Sequence, residues 1–130
     1  MSRRGLNRPL IRTALLTAAG LMALTRRRQG MFARDDLATL ALAYLREGLA
    51  VARAEGANLG DEVPAQILGY FRANPPDQGT SILADADAGR ALEWEVRNDV
   101  IPRRGRQHGI PTPISDVIVP LLAAASDGPG

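Results

Sequence analysis

An all-α fold, a compact bundle of five to six helices, is what this sequence predicts, on three observations. Apolar residues recur at helical spacing in several stretches, most clearly between Leu37 and Ala52. No stretch alternates apolar and polar residues with period two over a useful length. No Asn-Gly or Asp-Gly pair separates two β-branched runs, since Asp127-Gly128 falls in the tail. With 130 residues, 45% of them hydrophobic, the chain fits one domain with an ordinary core.

The elements follow in order. Thr13 to Thr25 carries no charge and reads as an Ala/Leu-rich helix packed on the rest of the domain. Its thirteen residues fall short of the roughly 20 that span a bilayer. Ser2-Arg3-Arg4 loosely matches a twin-arginine signal, but Arg26-Arg27-Arg28 follows the apolar run, where positive charge opposes export. The second helix is the clearest. Asp35 or Asp36 is placed to cap it, and Gly56 to end it. Leu37, Leu40, Ala41, Tyr44, Leu45, Gly48, Val51 and Ala52 form its inner face, with Arg46, Glu47, Arg53 and Glu55 mostly on the other side. Gly48 inside it costs about 1 kcal/mol against Ala, which a close helix crossing would explain.

A third helix is expected from Asp61, as cap, to about Ala73, with Pro64 tolerated in its first turn. Asn74-Pro75-Pro76-Asp77-Gln78-Gly79 is a loop. A short helix over Ser81 to Ala88 stops at Gly89, and another runs from about Leu92 to His108 before Gly109 and Pro111. Thr112-Pro113 opens a last helix, through roughly Ala123, that Pro120 is expected to kink or shorten.

Composition excludes several chemistries. Without cysteine there is no disulfide, thiolate zinc site or Cys nucleophile, and one histidine, His108, makes no multi-histidine metal site. All 16 basic residues are Arg, which removes lysine as a Schiff base or general acid. Residues 1–34 hold eight Arg and no acid, and residues 35–130 hold eight Arg against fourteen Asp and Glu, so a +8 front precedes a −6 body. The chain is therefore divided into a basic leader helix over 1–30, a helical domain over 31–125 and a tail over 126–130. Arginines without interleaved aromatics make neither nucleic acid nor a membrane an expected partner.

From Thr80 onward the sequence becomes specific. Thr80-Ser81-Ile82-Leu83, Asp85, Ala88-Gly89-Arg90, Glu93, Asn98, Gly105 and Gly109-Ile110-Pro111-Thr112-Pro113 keep, without a gap, the spacing S-S-M-L-x-D-x-x-x-G-R-x-x-E-x-x-x-x-N-G…G-x-x-x-G-V-P-T-P. On these residues the chain resembles the C-terminal domain of the ketopantoate reductases, and Arg53-Ala54-Glu55-Gly56 fits that family's long second helix. The resemblance implies the helical C-terminal fold of ketopantoate and 6-phosphogluconate dehydrogenase-like reductases. It also implies a substrate-binding role beside an N-terminal Rossmann domain that binds NADPH, together reducing 2-dehydropantoate to pantoate in the cytoplasm. By position, Ser81 matches a serine that hydrogen-bonds the substrate, Glu93 a glutamate at the active-site cleft, and Gln78 a substrate-contacting Asn.

Each also has an ordinary reading. Ser81 either caps the helix it opens or caps it and contacts ligand as well. Glu93 and Arg97 are spaced i, i+4, as a solvated ion pair would be. Gln78 can be a plain loop residue. Asn98 reads as a buried side chain satisfying backbone groups, and His108 as a helix end residue beside the negative end of the dipole.

The departures are specific too. Aligned on Ala23-Leu24-Thr25, the family's lysine and two asparagines (K-x-x-x-N-x-x-x-N) fall on Ile11, Leu15 and Ala19. Arg12 adjoins the lost lysine, but a guanidinium stays protonated and is a poor proton donor. The family's Asn-Gly is Asn98-Asp99, and no G-x-G-x-x-G occurs for a dinucleotide. The expectation is a substrate domain inactive alone, served by a separate Rossmann chain. The alternative is an orphan helical domain used for assembly, as a homodimer in which the apolar first helix packs between copies.

Overall fold

The computed structural model describes residues 17–89 and 98–127. Among them lie six helices: α1 (Ala19–Thr25), α2 (Asp35–Ala54), α3 (Val63–Ala73), α4 (Ser81–Asp87), α5 (Val100–His108) and α6 (Pro113–Ser126). A 3₁₀ turn over Gln29–Ala33 joins α1 to α2, and no strand occurs among the described residues. The fold is all-α, as expected.

The long α2 is the hub. It packs on α3, α5, α6 and the 3₁₀ turn, while α1 lies against α4 and α6. Its inner residues Ala41, Tyr44, Leu45, Gly48, Val51 and Ala52 are buried, so the helical spacing located the core face. Met22 from α1, Met31 and Phe32 from the turn, Phe71 from α3, Ile82 and Leu83 from α4 and Leu122 from α6 close around Tyr44 and Leu45. Each large apolar side chain so buried contributes about 1.5–3 kcal/mol. Phe32 and Phe71 meet with ring centroids 5.1 Å apart.

The described part of the first helix sits inside this core, with Ala19, Gly20, Leu21, Met22 and Ala23 buried. Its apolar side chains are covered within the chain, where the assembly reading had them packing between copies. The tail begins later than expected at the structural level, since α6 reaches Ser126.

Several helix ends differ from the sequence reading. The residue before α2 is Arg34, and neither Asp35 nor Asp36 caps it from outside; both lie in the first turn, where their charge meets the positive end of the dipole. The other end of α2 is as read: Gly56 has φ +99°, its N–H donates to the Arg53 carbonyl, and the Ala57 N–H donates to the Ala52 carbonyl. This pair of bonds is the Schellman pattern that a left-handed glycine permits. For α3 the preceding residue is Glu62, without a side-chain bond, and Asp61 instead holds Arg53 at 2.7 Å.

Two residues assigned to the outer face of α2 turn inward. Glu55 is only 21% exposed in its side chain and pairs with Arg104 at 3.3 Å and His108 at 3.5 Å, fastening the end of α2 to α5. Glu47 reaches α6. Its Oε2 accepts from the Ile114 N–H at 2.7 Å, and its Oε1 accepts from the Ser115 N–H and hydroxyl, each at 2.9 Å. Glu47 thus satisfies amides at the start of α6, and Thr112, which precedes that helix, gives its hydroxyl to Asp116 at 3.1 Å instead. Pro120 neither ends nor shortens α6, which runs on to Ser126, and it lies on the exposed side of that helix.

The crossing expected at Gly48 is loose. A Cβ there would meet only Ile101 Cδ1 at 3.8 Å. The tight approach is at Gly105 of α5, where a Cβ would lie 2.9 Å from Thr112 Cγ2 and 3.0 Å from the Ile110 carbonyl oxygen.

Candidate functional site

The loop before α4 is built as a fixed shelf. Pro75 and Pro76 restrict its backbone, and three hydrogen bonds tie it to the 3₁₀ turn. The Gln29 N–H donates to the Gln78 carbonyl at 3.0 Å and the Gly30 N–H to the Pro76 carbonyl at 2.8 Å. Asn74 Nδ2 donates to Gln29 Oε1 at 2.7 Å, and Gln29 is 3% exposed. The shelf delivers Thr80 in an extended conformation, with its Oγ1 accepting from the Leu83 N–H at 3.3 Å. The cap of α4 is therefore Thr80, one residue earlier than the sequence reading placed it, and Ser81 is the first helical residue.

Beside this helix lies an open cleft of about 760 Å³, lined by Arg28, Gly79, Thr80, Leu83, Ala84, Asp87 and Ala88. Among the described residues it holds one cation and one anion in its lining. Asp87 is paired with Arg26 at 3.4 Å. Arg28 donates from Nη1 to the Asp77 carbonyl at 3.2 Å and forms no ion pair among the described residues. The left-handed Arg26, φ +58°, ends α1 and sends Arg26–Arg28 across toward α4.

A second polar group is fully enclosed. Asn98 is 0% exposed, and its Nδ2 donates to the Tyr44 hydroxyl at 2.6 Å and to the Thr17 carbonyl at 3.2 Å. This is the role read from sequence, a buried amide satisfying backbone. Its Oδ1 is buried without a hydrogen-bond partner among the described residues. Burial pushes the Tyr44 hydroxyl well above the usual phenol range, against the opposing effect of the Asn98 bond.

Of the sequence-derived candidates, Gln78 lies in the shelf and Ser81 is the first residue of α4. Gln78 is exposed, and its main chain accepts from Gln29 and donates to the Pro75 carbonyl at 2.9 Å. Glu93, with Arg97, lies outside the described residues. His108 closes α5 before Gly109, φ +67°, in the position expected. Sequence reasoning missed Arg28, Gln29 and Glu47. The three arginines were legible only as charge opposing export, and Glu47 only as an outward residue. Among the described residues no three His, Asp or Glu side chains gather as a metal site, and no helix is long and apolar enough to cross a membrane.

The family model described as "Ketopantoate reductase PanE/ApbA C terminal" matches residues 10–126. A 2-dehydropantoate 2-reductase of Mycobacterium tuberculosis is 60% identical over 112 residues, covering 86% of this chain and 38% of that protein. One from Caulobacter vibrioides is 42% identical over 113 residues, covering 87% of this chain and 39% of that one. Among solved structures, the dimeric ketopantoate reductase of Staphylococcus aureus superposes with a TM-score of 0.86 at 27% identity, covering 91% of this chain and 42% of that one. A PanE/ApbA family ketopantoate reductase of Ralstonia eutropha gives 0.81 at 31% identity, covering 91% of this chain and 40% of that one. The chain thus spans about two-fifths of the length of the curated relatives it matches.

Proposed function

Because this chain belongs to the ketopantoate reductase C-terminal domain family, we propose that it is the substrate-binding domain of an NADPH-dependent 2-dehydropantoate 2-reductase. The observation that carries the reading is the cleft beside α4, lined among others by Arg28, Gly79, Thr80 and Leu83, on the helix that Ser81 opens. In this reading Ser81 and Gln78 donate or accept hydrogen bonds with the polar groups of the 2-keto acid, and Glu93 orients its hydroxyl. The floor of Leu83, Ala84 and Ala88 suits the branched apolar carbon of such a substrate.

NADPH supplies the hydride when bound to the reductases of this family. The residues described here do not fit it: a dinucleotide pyrophosphate needs a Gly-rich turn between a strand and a helix, and the described residues are helices and connections alone. Its site belongs to a Rossmann domain in this reading, and no lysine is present in this chain to act as general acid. We therefore assign the chain substrate binding without turnover on its own. Thermal melts test this directly. 2-Dehydropantoate or pantoate at millimolar concentration is expected to raise the melting temperature, and no rise with either would sink the reading.

A second reading is favoured by one observation. Val117 and Leu121, one turn apart on α6, are 62% and 52% exposed. Such a pair suits a second copy of the chain. Light scattering at high concentration tests it, and a strict monomer speaks against it.

A further inference from the structure

We propose that Arg28 is the carboxylate anchor of the cleft and so sets its preference for 2-keto acids over neutral ketones. The inference rests on the substrate-domain reading above and adds a residue to it.

Among the described residues Arg28 is the one cation lining the cleft, and the one anion there, Asp87, is already paired with Arg26. A carboxylate entering the cleft therefore meets an Asp87 held by its own arginine and an Arg28 without a carboxylate partner among the described residues.

Donor count points the same way. A guanidinium carries five N–H donors in a planar fork that matches a carboxylate in two parallel bonds. Among the described residues one of the five is used, by the Asp77 carbonyl. That bond also fixes the side chain against the shelf, which reduces the rotamer freedom lost on binding. Thr80 adds to this end of the cleft: its Oγ1 accepts from the Leu83 N–H, which leaves its O–H to donate.

Gly79 makes the room. A Cβ at that position would sit 3.1 Å from Arg28 Nη1, so the guanidinium lies over bare backbone. The shelf residues Asp77 and Gly79 thus position Arg28 in the lining with Thr80, while Leu83, Ala84 and Ala88 supply its apolar part. A donor-rich mouth above an apolar floor fits a short acid whose carboxylate stays at the entrance.

The test is calorimetric titration of the chain with pantoate and with pantolactone, its neutral lactone, for wild type, Arg28→Gln and Arg28→Lys. Wild type is expected to bind pantoate about tenfold more tightly than pantolactone, with charge-assisted hydrogen bonds as the difference. Arg28→Gln is expected to weaken pantoate by about that tenfold and leave pantolactone unchanged, with partial recovery in Arg28→Lys. If Arg28→Gln binds pantoate as wild type does, the anchor is overturned and the substrate-domain reading stands. Equal weakening of both ligands overturns it too, because that is the signature of a disturbed shelf. Wild type binding neither ligand overturns the substrate-domain reading and the anchor with it.

Discussion

At the α2–α6 joint, the Glu47 carboxylate takes three hydrogen bonds from residues 114 and 115. Beside α4, by contrast, Arg28 gives one bond to a carbonyl and faces an open cleft. The joint consumes its polar groups inside the chain, and the cleft leaves donors toward solvent. A polar group with its partners inside the fold stabilises; one with spare capacity in a concave site is available to a ligand. Mutations in the two regions should therefore separate, with joint variants changing stability and cleft variants changing affinity.

The largest effect is expected at Glu47. Glu47→Ala strands two backbone donors and a hydroxyl around a lost carboxylate and is expected to cost about 3 kcal/mol. Urea denaturation measures it as a lower midpoint at unchanged slope. Glu47→Gln keeps the reach and part of the bonding and should lose less. A Glu47→Ala protein as stable as wild type would break the contrast drawn between the regions.

The sequence made one half of this comparison easier to read than the other. The inner face of α2 was legible because its spacing repeats over five turns within one segment, and Gly56 because a left-handed end is a local demand on backbone. The start of α6 was not, because its amides are met by a distant partner. Glu47 serves amides 67 and 68 residues away, and nothing near Pro113 announces it. The cleft is hidden for the same reason: Arg28 meets the Asp77 carbonyl across 49 residues. Gln78 and Ser81 were singled out through the spacing of a family motif, and that spacing carries no sign of the arginine that the fold brings to the Asp77 carbonyl.

The buried Tyr44–Asn98 pair gives a pH handle on the joint side. Burial raises the Tyr44 hydroxyl in the folded chain, so it stays protonated while the unfolded chain ionises from about pH 10. Stability is then full below that pH and falls above it, by about 1.4 kcal/mol per pH unit for this one group. The chain has no lysine or cysteine to titrate in the same range. Tyr44→Phe is expected to cost about 1 kcal/mol near neutral pH, for the bond from Asn98 Nδ2, and to flatten the alkaline fall. Denaturation midpoints between about pH 9 and 12 check the sign. An equally steep fall in Tyr44→Phe would remove Tyr44 as its source.

Two glycines test how closely packed the joint is. At Gly105 an added methyl meets Thr112 Cγ2 at 2.9 Å and the Ile110 carbonyl at 3.0 Å, and the carbonyl belongs to backbone that cannot swing aside. Gly105→Ala is expected to cost about 1–2 kcal/mol as α5 and the loop to α6 shift apart. At Gly48, in the middle of α2, the same methyl meets only Ile101 Cδ1 at an ordinary 3.8 Å. There the helix gains the lower backbone entropy of the unfolded alanine chain, so Gly48→Ala is expected to stabilise by about 0.5–1 kcal/mol. Opposite signs in paired thermal melts would place the tight contact at the α5–α6 turn and leave the middle of α2 with room. If both variants lose stability, the α2–α5 contact at Ile101 is closer than its 3.8 Å spacing implies.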